Sequence, residues 1–330
     1  MTTPGVEPAL AEMMDAVFAE HGRDADVWRR LDELGLVRLT GAENSGGSGA
    51  GWTEAAELLS AAVRHGVRIP LAEHDLLACW LLDSVGVACD AATRTVCVLD
   101  ERGLATAVPW ASHAERIVLV RPHDGGYAVA DVAVDALSIT PGANMISEPR
   151  DAVTADLTTL DGVVVSNDRL AQLRLRSALV RSIQVCAALD RALELSIEHT
   201  TSRHQFGRPL SKFQAVQHQI ADIAAEAALA RSATESALSV AIASDWSSPS
   251  LEFLVAAARS CAGHAATVVV RNAHQVHGAI GTTSEHRLHE FTRAALAWRS
   301  EYGSVRYWDE VLTGMAVQAG ANGLWGLICP

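Results

Sequence analysis

Apolar positions along this chain recur with helical spacing, then with strand spacing, then with helical spacing again. Over residues 7–40, Leu10, Met13, Met14, Val17 and Phe18 share one helical face, and Trp28, Leu31 and Leu34 continue it. Gly35 is placed as a C-cap. The Gly- and Ser-rich stretch Glu43–Gly51 predicts a flexible linker, since it lacks the Lys-Ser/Thr of a phosphate loop. Thr53–Val67 and Ala72–Val85 are two further helices, with Thr53 as the cap of the first. From Thr95 to about Val165 the pattern turns to short β-rich runs separated by Gly, Pro and Asp: Val96–Leu99, Ile117–Val120, Tyr127–Val129 and Gly162–Val165. Helical spacing then returns in Asp168–Thr200, Lys212–Ser244, Ser250–Ala273, Glu285–Trp298 and Val305–Val317, leaving Gly320–Pro330 as a loose tail. Several of these helices are apolar around much of their circumference, which predicts burial in a bundle or at a subunit interface.

The pattern gives an α+β fold, mostly α, in three parts: a helical domain over 1–94, a short β domain over 95–165 and a helical bundle over 166–330. Hydrophobic residues make up 49% and aromatics 5%, so the core is aliphatic and alanine-rich. A formal charge of -13 argues against nucleic acid or an anionic membrane as the main partner. No run of about 18 apolar residues and no basic-then-apolar leader is present, which predicts a cytoplasmic protein without membrane insertion. Cys79, Cys89, Cys97, Cys186, Cys261 and Cys329 show no metal-ligand spacing and read as buried thiols in a reducing compartment.

The chemistry concentrates where two helical patterns break, between Ser202 and Gln217. Gly207 and Pro209 interrupt the helix, and Ser211 is placed to cap the next one. Arg203, Gln205 and Phe206 thereby collect a cation, an amide and a flat ring at one helix end, a set suited to a ligand with phosphates and an aromatic system. On spacing alone, a solvated arginine and a core phenylalanine at a helix turn is the preferred reading.

Arg203-His-Gln-Phe-Gly207, with Gln214 and Asp222 on the following helix, resembles the Arg-x-Gln-Phe-Gly signature of acyl-CoA dehydrogenases. Gln275-Val-His-Gly-Ala-Ile-Gly281 is similar to their Gln-x-x-Gly-Gly-x-Gly block, with Ala279 in place of the second glycine. The resemblance implies that Arg203, Gln205, Phe206, Leu210, Phe213, Val216, Gln275, Val276, Gly278 and Ala279 contact FAD held by a neighbouring subunit. It also implies an acyl-CoA substrate and an electron-transfer flavoprotein or similar acceptor.

What the family uses for its own site is missing. Nothing between Leu99 and Ser112 resembles its flavin- and thioester-binding loop, and Leu104–Ser112 reads as running directly on to the next strand. The family's catalytic carboxylate falls, without gaps, on Tyr302; Glu301 is one place away, and one helical step turns a side chain by about 100°. The family's other base position falls near Ser177, among Arg174, Arg176 and Arg181. Glu285 and His289 form an i,i+4 pair without a clear third ligand and, with His286, are not assigned a metal, while His264, His274 and His277 read as core or interface residues.

The chain therefore resembles the short, degenerate subunit of bacterial heterotetrameric acyl-CoA dehydrogenases, assemblies that often oxidise bulky thioesters such as steroid side chains. Three readings follow. The chain is a non-catalytic subunit completing the FAD site of a larger partner; or a self-sufficient homo-oligomer with Glu301 as base; or a flavin-free scaffold.

Overall fold

The computed structural model describes residues 5–124 and 126–328, which divide into two compact units, Met1–Arg176 and Ser177–Pro330. In the first, α1 (Pro8–His21) buries Met14, Val17 and Phe18, and packs with α3 (Trp52–His65). Between them α2 (Val27–Glu33) stops where Gly35 takes φ +71°, and the Leu36 amide donates back to the Leu31 carbonyl at 2.8 Å.

The stretch expected to be a flexible linker is instead folded back on the chain before it. Ser48 and Ala50 amides donate to the Arg38 and Leu39 carbonyls at 3.1 and 3.0 Å. A Cβ on Gly47 would lie 2.1 Å from the Gly41 carbonyl oxygen, so the glycine is there for close approach, not slackness. Thr53 is not the cap of α3 either. The helix starts at Trp52, where the Glu54 carboxylate accepts the Gly51 amide at 2.9 Å.

Ala72–Cys79 winds as a π-helix before passing into α4 (Trp80–Ser84). All eight of its residues are buried, including Glu73, His74 and Asp75. Thr40 donates its amide and hydroxyl to the Asp75 carboxylate, both at 3.0 Å, yet burial still raises that pKa to about 6. Cys79, Cys97 and Cys186 are buried as expected, but Cys89 and Cys261 are half-exposed, and Cys329 lies outside the described residues.

Two small sheets follow. One has the order β1 (Arg94–Val98), β3 (Arg116–His123), β4 (Gly126–Ala133), β7 (Val163–Val165), with β1 and β3 parallel. The other runs β2 (Leu104–Pro109), β6 (Arg150–Thr154), β5 (Ser138–Thr140), all antiparallel. Cys97, Leu99, Ile117 and Leu119 from the first meet Ala105, Val108 and Val153 from the second in one core. Leu104–Pro109 is thus a strand in its own right, not a connector. A bulge between Ala105 and Val108, with Ala107 at φ 55°, breaks the alternation that would have revealed it.

The long α5 (Asn167–Ser202) runs from the end of the first unit into the second. The second unit adds α6 (Gln214–Ala243), α7 (Leu251–His277), α8 (Leu288–Trp298) and α9 (Val305–Ile328). Alanines let α6 and α7 lie close: Ala230, Ala237, Ala258, Ala262 and Ala266 are fully buried, along with Val255 and Val269. Leu251–Thr282 is long and apolar enough to cross a membrane by length and composition, which a search for an unbroken apolar run misses, and half of that window is buried inside the bundle. The expected loose tail is helical through Ile328, broken only at Gly320 (φ 63°, ψ -179°). Residues 329 and 330 lie outside the described residues.

Candidate functional site

The break after α5 is a β-hairpin. β8 (His204–Gln205) pairs with β9 (Arg208–Pro209), and Phe206 and Gly207 form the two-residue turn with φ 52° and 79°. Positive φ at both positions is the type I′ geometry that matches strand twist. Glycine adopts it freely, but a bulky aromatic does so at a cost of about 1–3 kcal/mol. The strained residue is also the most exposed large apolar side chain described, at 89%. Its ring meets Phe213 edge-on at 6.1 Å, and the Arg208 guanidinium lies 4.1 Å from the Phe213 ring centre. Among the described residues neither Arg203 nor Arg208 forms an ion pair.

Ser211 does not cap α6. It sits in a 3-10 turn over Leu210–Lys212, where its carbonyl accepts the Gln217 side-chain amide at 2.9 Å. Phe213 occupies the cap position without any side-chain bond. Leu210, Phe213 and Val216 are each part-buried.

At the other predicted block, Gln275 is exposed on the last turn of α7, whereas Val276 is buried and not open to a ligand. Gly278 ends the helix at φ +65°, with open space where a Cβ would be, and Ala279 is exposed beside it. The structure thus leaves an exposed cation, an exposed ring, an exposed amide and an approachable backbone position at helix ends of the second unit. These groups fit a dinucleotide's phosphates and flat rings.

Beneath these groups lies a cluster that spacing did not reveal. His199, His277 and His286 bring ligating atoms within 4.8 Å of one another, with His199 and His277 stacked at 4.5 Å. His277 donates from Nδ1 to the Ala273 carbonyl at 2.7 Å. His286 accepts the Leu288 amide at 3.1 Å at the start of α8, which begins at Leu288 rather than Glu285. Burial lowers the His277 pKa to about 4 and, with His286 and Arg203, lowers that of His199 as well. His289 turns back to the His286 carbonyl, and His274 bonds the Thr292 hydroxyl at 2.9 Å. His264 is exposed, paired with Asp309 at 3.0 Å.

The Glu301–Tyr302 segment has a different character. Arg181, 1% exposed, donates from Nε to the Glu301 carboxylate at 2.7 Å. Arg259, also buried, donates from one nitrogen to the Arg299, Glu301 and Gly303 carbonyls at 2.9, 2.7 and 3.1 Å. Burial and the nearby Arg181 lower the Arg259 pKa to about 10, leaving it charged at neutral pH. Tyr302, the position that a gapless alignment would give the catalytic carboxylate, has its ring 5.1 Å from the Arg181 guanidinium. Ser177, at the alternative base position, is buried.

Residues 161–305 match the family described as Acyl-CoA dehydrogenase, C-terminal domain. Acyl-CoA dehydrogenase IpdE2 of Mycolicibacterium smegmatis is 28% identical over 286 residues, covering 85% of this chain and 84% of its own. Acyl-CoA dehydrogenase FadE34 of Mycobacterium tuberculosis is 26% identical over 337 residues, which take in 95% of this chain but 46% of FadE34. The ChsE4–ChsE5 complex from Mycobacterium tuberculosis contains a chain of the same fold, with a TM-score of 0.82 at 22% identity, covering 97% of this chain and 100% of that one. The Tcur3481–Tcur3483 steroid enzyme gives 0.82 at 21% identity, covering 94% and 97%.

Proposed function

With residues 161–305 matching an acyl-CoA dehydrogenase C-terminal domain in a chain of that family's fold, we propose that the protein is the non-catalytic small subunit of a heteromeric acyl-CoA dehydrogenase. In this reading it completes the FAD site of a larger subunit.

One observation carries the reading: the hairpin groups stay free at the surface while the segment expected to supply the base is built into the fold. A general base must reach the proton it removes, and the Glu301 carboxylate is engaged by a buried arginine. The length relation to FadE34 points the same way, because that chain holds a stretch matching this one and more than half its length besides.

Arg203 would pair with the cofactor's phosphates, and Phe206 would cover an aromatic ring. Gln275 would donate or accept a hydrogen bond, and the backbone at Gly278 would approach closely. FAD, when bound in the larger subunit's site, supplies the hydride-accepting chemistry of acyl-CoA oxidation. An electron-transfer flavoprotein or similar carrier would then take the electrons. Bulky thioesters such as steroid side chains are the substrate class we infer, by analogy with the steroid enzyme of like fold.

The test is the flavin content of the purified chain, alone and co-expressed with a larger acyl-CoA dehydrogenase subunit. The expected result is no flavin alone and one flavin for each pair of unlike chains. One flavin per chain in the isolated protein would establish the self-sufficient reading, and Glu301→Gln would then abolish turnover instead of leaving it intact.

A further inference from the structure

Within the second unit, the imidazoles of His199, His277 and His286 converge from three segments: the last turn of α5, the end of α7 and the turn before α8. The function proposed above uses none of them. Their ligating nitrogens lie within 4.8 Å of one another, and the His277 ring centre is 4.5 Å from that of His199 and 4.6 Å from that of His286. Gly281 helps to make this closeness possible. A Cβ there would stand 2.9 Å from the His277 Cβ and 3.1 Å from the Leu288 Cδ2, so glycine lets the chain after α7 lie against both.

His277 is the fixed member. It is 5% exposed, and its Nδ1 donates to the Ala273 carbonyl at 2.7 Å. The lone pair of the neutral ring is therefore on Nε2, and that atom is buried with no hydrogen-bond partner among the described residues. A buried acceptor left without a partner costs stability and calls for a ligand. A ring held on one nitrogen by a backbone carbonyl, with its other nitrogen open, is the usual setting of a metal-binding histidine. His199 is half-buried and forms no hydrogen bond among the described residues. His286, also half-buried, carries its neutral lone pair on Nδ1, which accepts the Leu288 amide.

We propose that His199, His277 and His286 bind one divalent transition-metal ion, with zinc the best fit and water as the fourth ligand. Three imidazole nitrogens suit zinc, whereas magnesium and calcium take oxygen ligands. Tetrahedral zinc, with nitrogens at about 2.0–2.1 Å, keeps its ligands about 3.3 Å apart, so binding draws these rings together. His199 tilts out of its stack on His277, which no hydrogen bond opposes. His286 turns its Nδ1 lone pair from the Leu288 amide to the metal, leaving a first-turn donor that water can satisfy. The Arg203 charge acts on His199 and opposes a cation, so the three uncharged donors have to outweigh it. The site needs neither flavin nor a partner chain, and its failure would leave the proposed function standing.

The experiment strips the full chain with a chelator and titrates it with zinc alone. One ion per chain is expected. His199→Gln, His277→Gln and His286→Gln should each weaken binding about a hundredfold. His218→Gln and His264→Gln, at exposed histidines outside the cluster, should leave it unchanged. A second measurement needs no variant. Diethylpyrocarbonate labels accessible imidazoles, and zinc should shield His199 and His286 while His218 and His264 label as before. Absence of bound zinc, equal binding by cluster and control variants, or shielding only at other histidines would overturn the proposal and leave water as the partner of the His277 Nε2.

Discussion

The hairpin after α5 and the Glu301–Tyr302 segment are both parts of the second unit, and both fall within the stretch that matches the family. They are built on opposite principles. In the hairpin the arginines have no ion pair among the described residues, and an 89% exposed ring sits on a strained backbone. At Glu301 two buried arginines hold a carboxylate and three carbonyls. Side chains kept for the fold are buried and matched with partners inside the chain. Side chains kept for something outside it are exposed, and their local geometry costs stability that the chain alone does not recover.

The comparison breaks most decisively at Arg181. Arg181→Ala leaves Glu301 without its buried partner and should destabilise the second unit by about 3–5 kcal/mol, read as a lower denaturant midpoint. A near-neutral result would mean that the segment is not held by this pair. Next in size is Arg203→Ala, which removes a charge-assisted contact of about 1.5–3 kcal/mol and should lower the complex's flavin affinity about tenfold or more. Its effect on the stability of the isolated chain should be negligible; a large loss there would make Arg203 a structural residue like Arg181.

Acid sharpens the contrast. His277 has a folded pKa of about 4 against an ordinary 6.5, so the unfolded chain binds more protons between those values. Its contribution to stability is complete above about 6.5 and is lost as the pH falls toward 4. His199 and His286 are lowered too and act in the same direction, although Glu198 opposes the shift at His286. Thermal melts across that range should show the loss, and His277→Gln should make it shallower; an unchanged slope would remove His277 from the account. The smallest effect belongs to Phe206→Gly. Relief of the positive φ should stabilise the isolated chain by about 1 kcal/mol while weakening flavin retention in the complex.

Helices and the longer strands were legible because their burial follows their periodicity; α5, α7, β1 and β3 emerge almost where the apolar spacing puts them. β2, β5 and β6 were not. Two of them are rich in polar or small residues, and one carries a bulge that disrupts the alternation. The site was legible as residue types but not as shape. Gly207 and Pro209 announced a break, yet nothing local in the sequence distinguishes a helix end from a hairpin when the turn places phenylalanine at positive φ. The histidine cluster joins residues 199, 277 and 286, a relation created only by the packing of α5, α7 and the segment before α8. The Arg181–Glu301 pair spans 120 positions and is equally invisible locally.

Under the heteromeric reading proposed above, the Phe206 turn would also bear on the life of the chain before assembly. A large apolar ring standing free in water is what chaperones and proteases recognise in a damaged protein. A copy made in excess of its partner would display that mark continuously, and a copy in complex would hide it. Surplus subunits would then be removed first, and the ratio of the two chains in the cell would correct itself without any dedicated regulator.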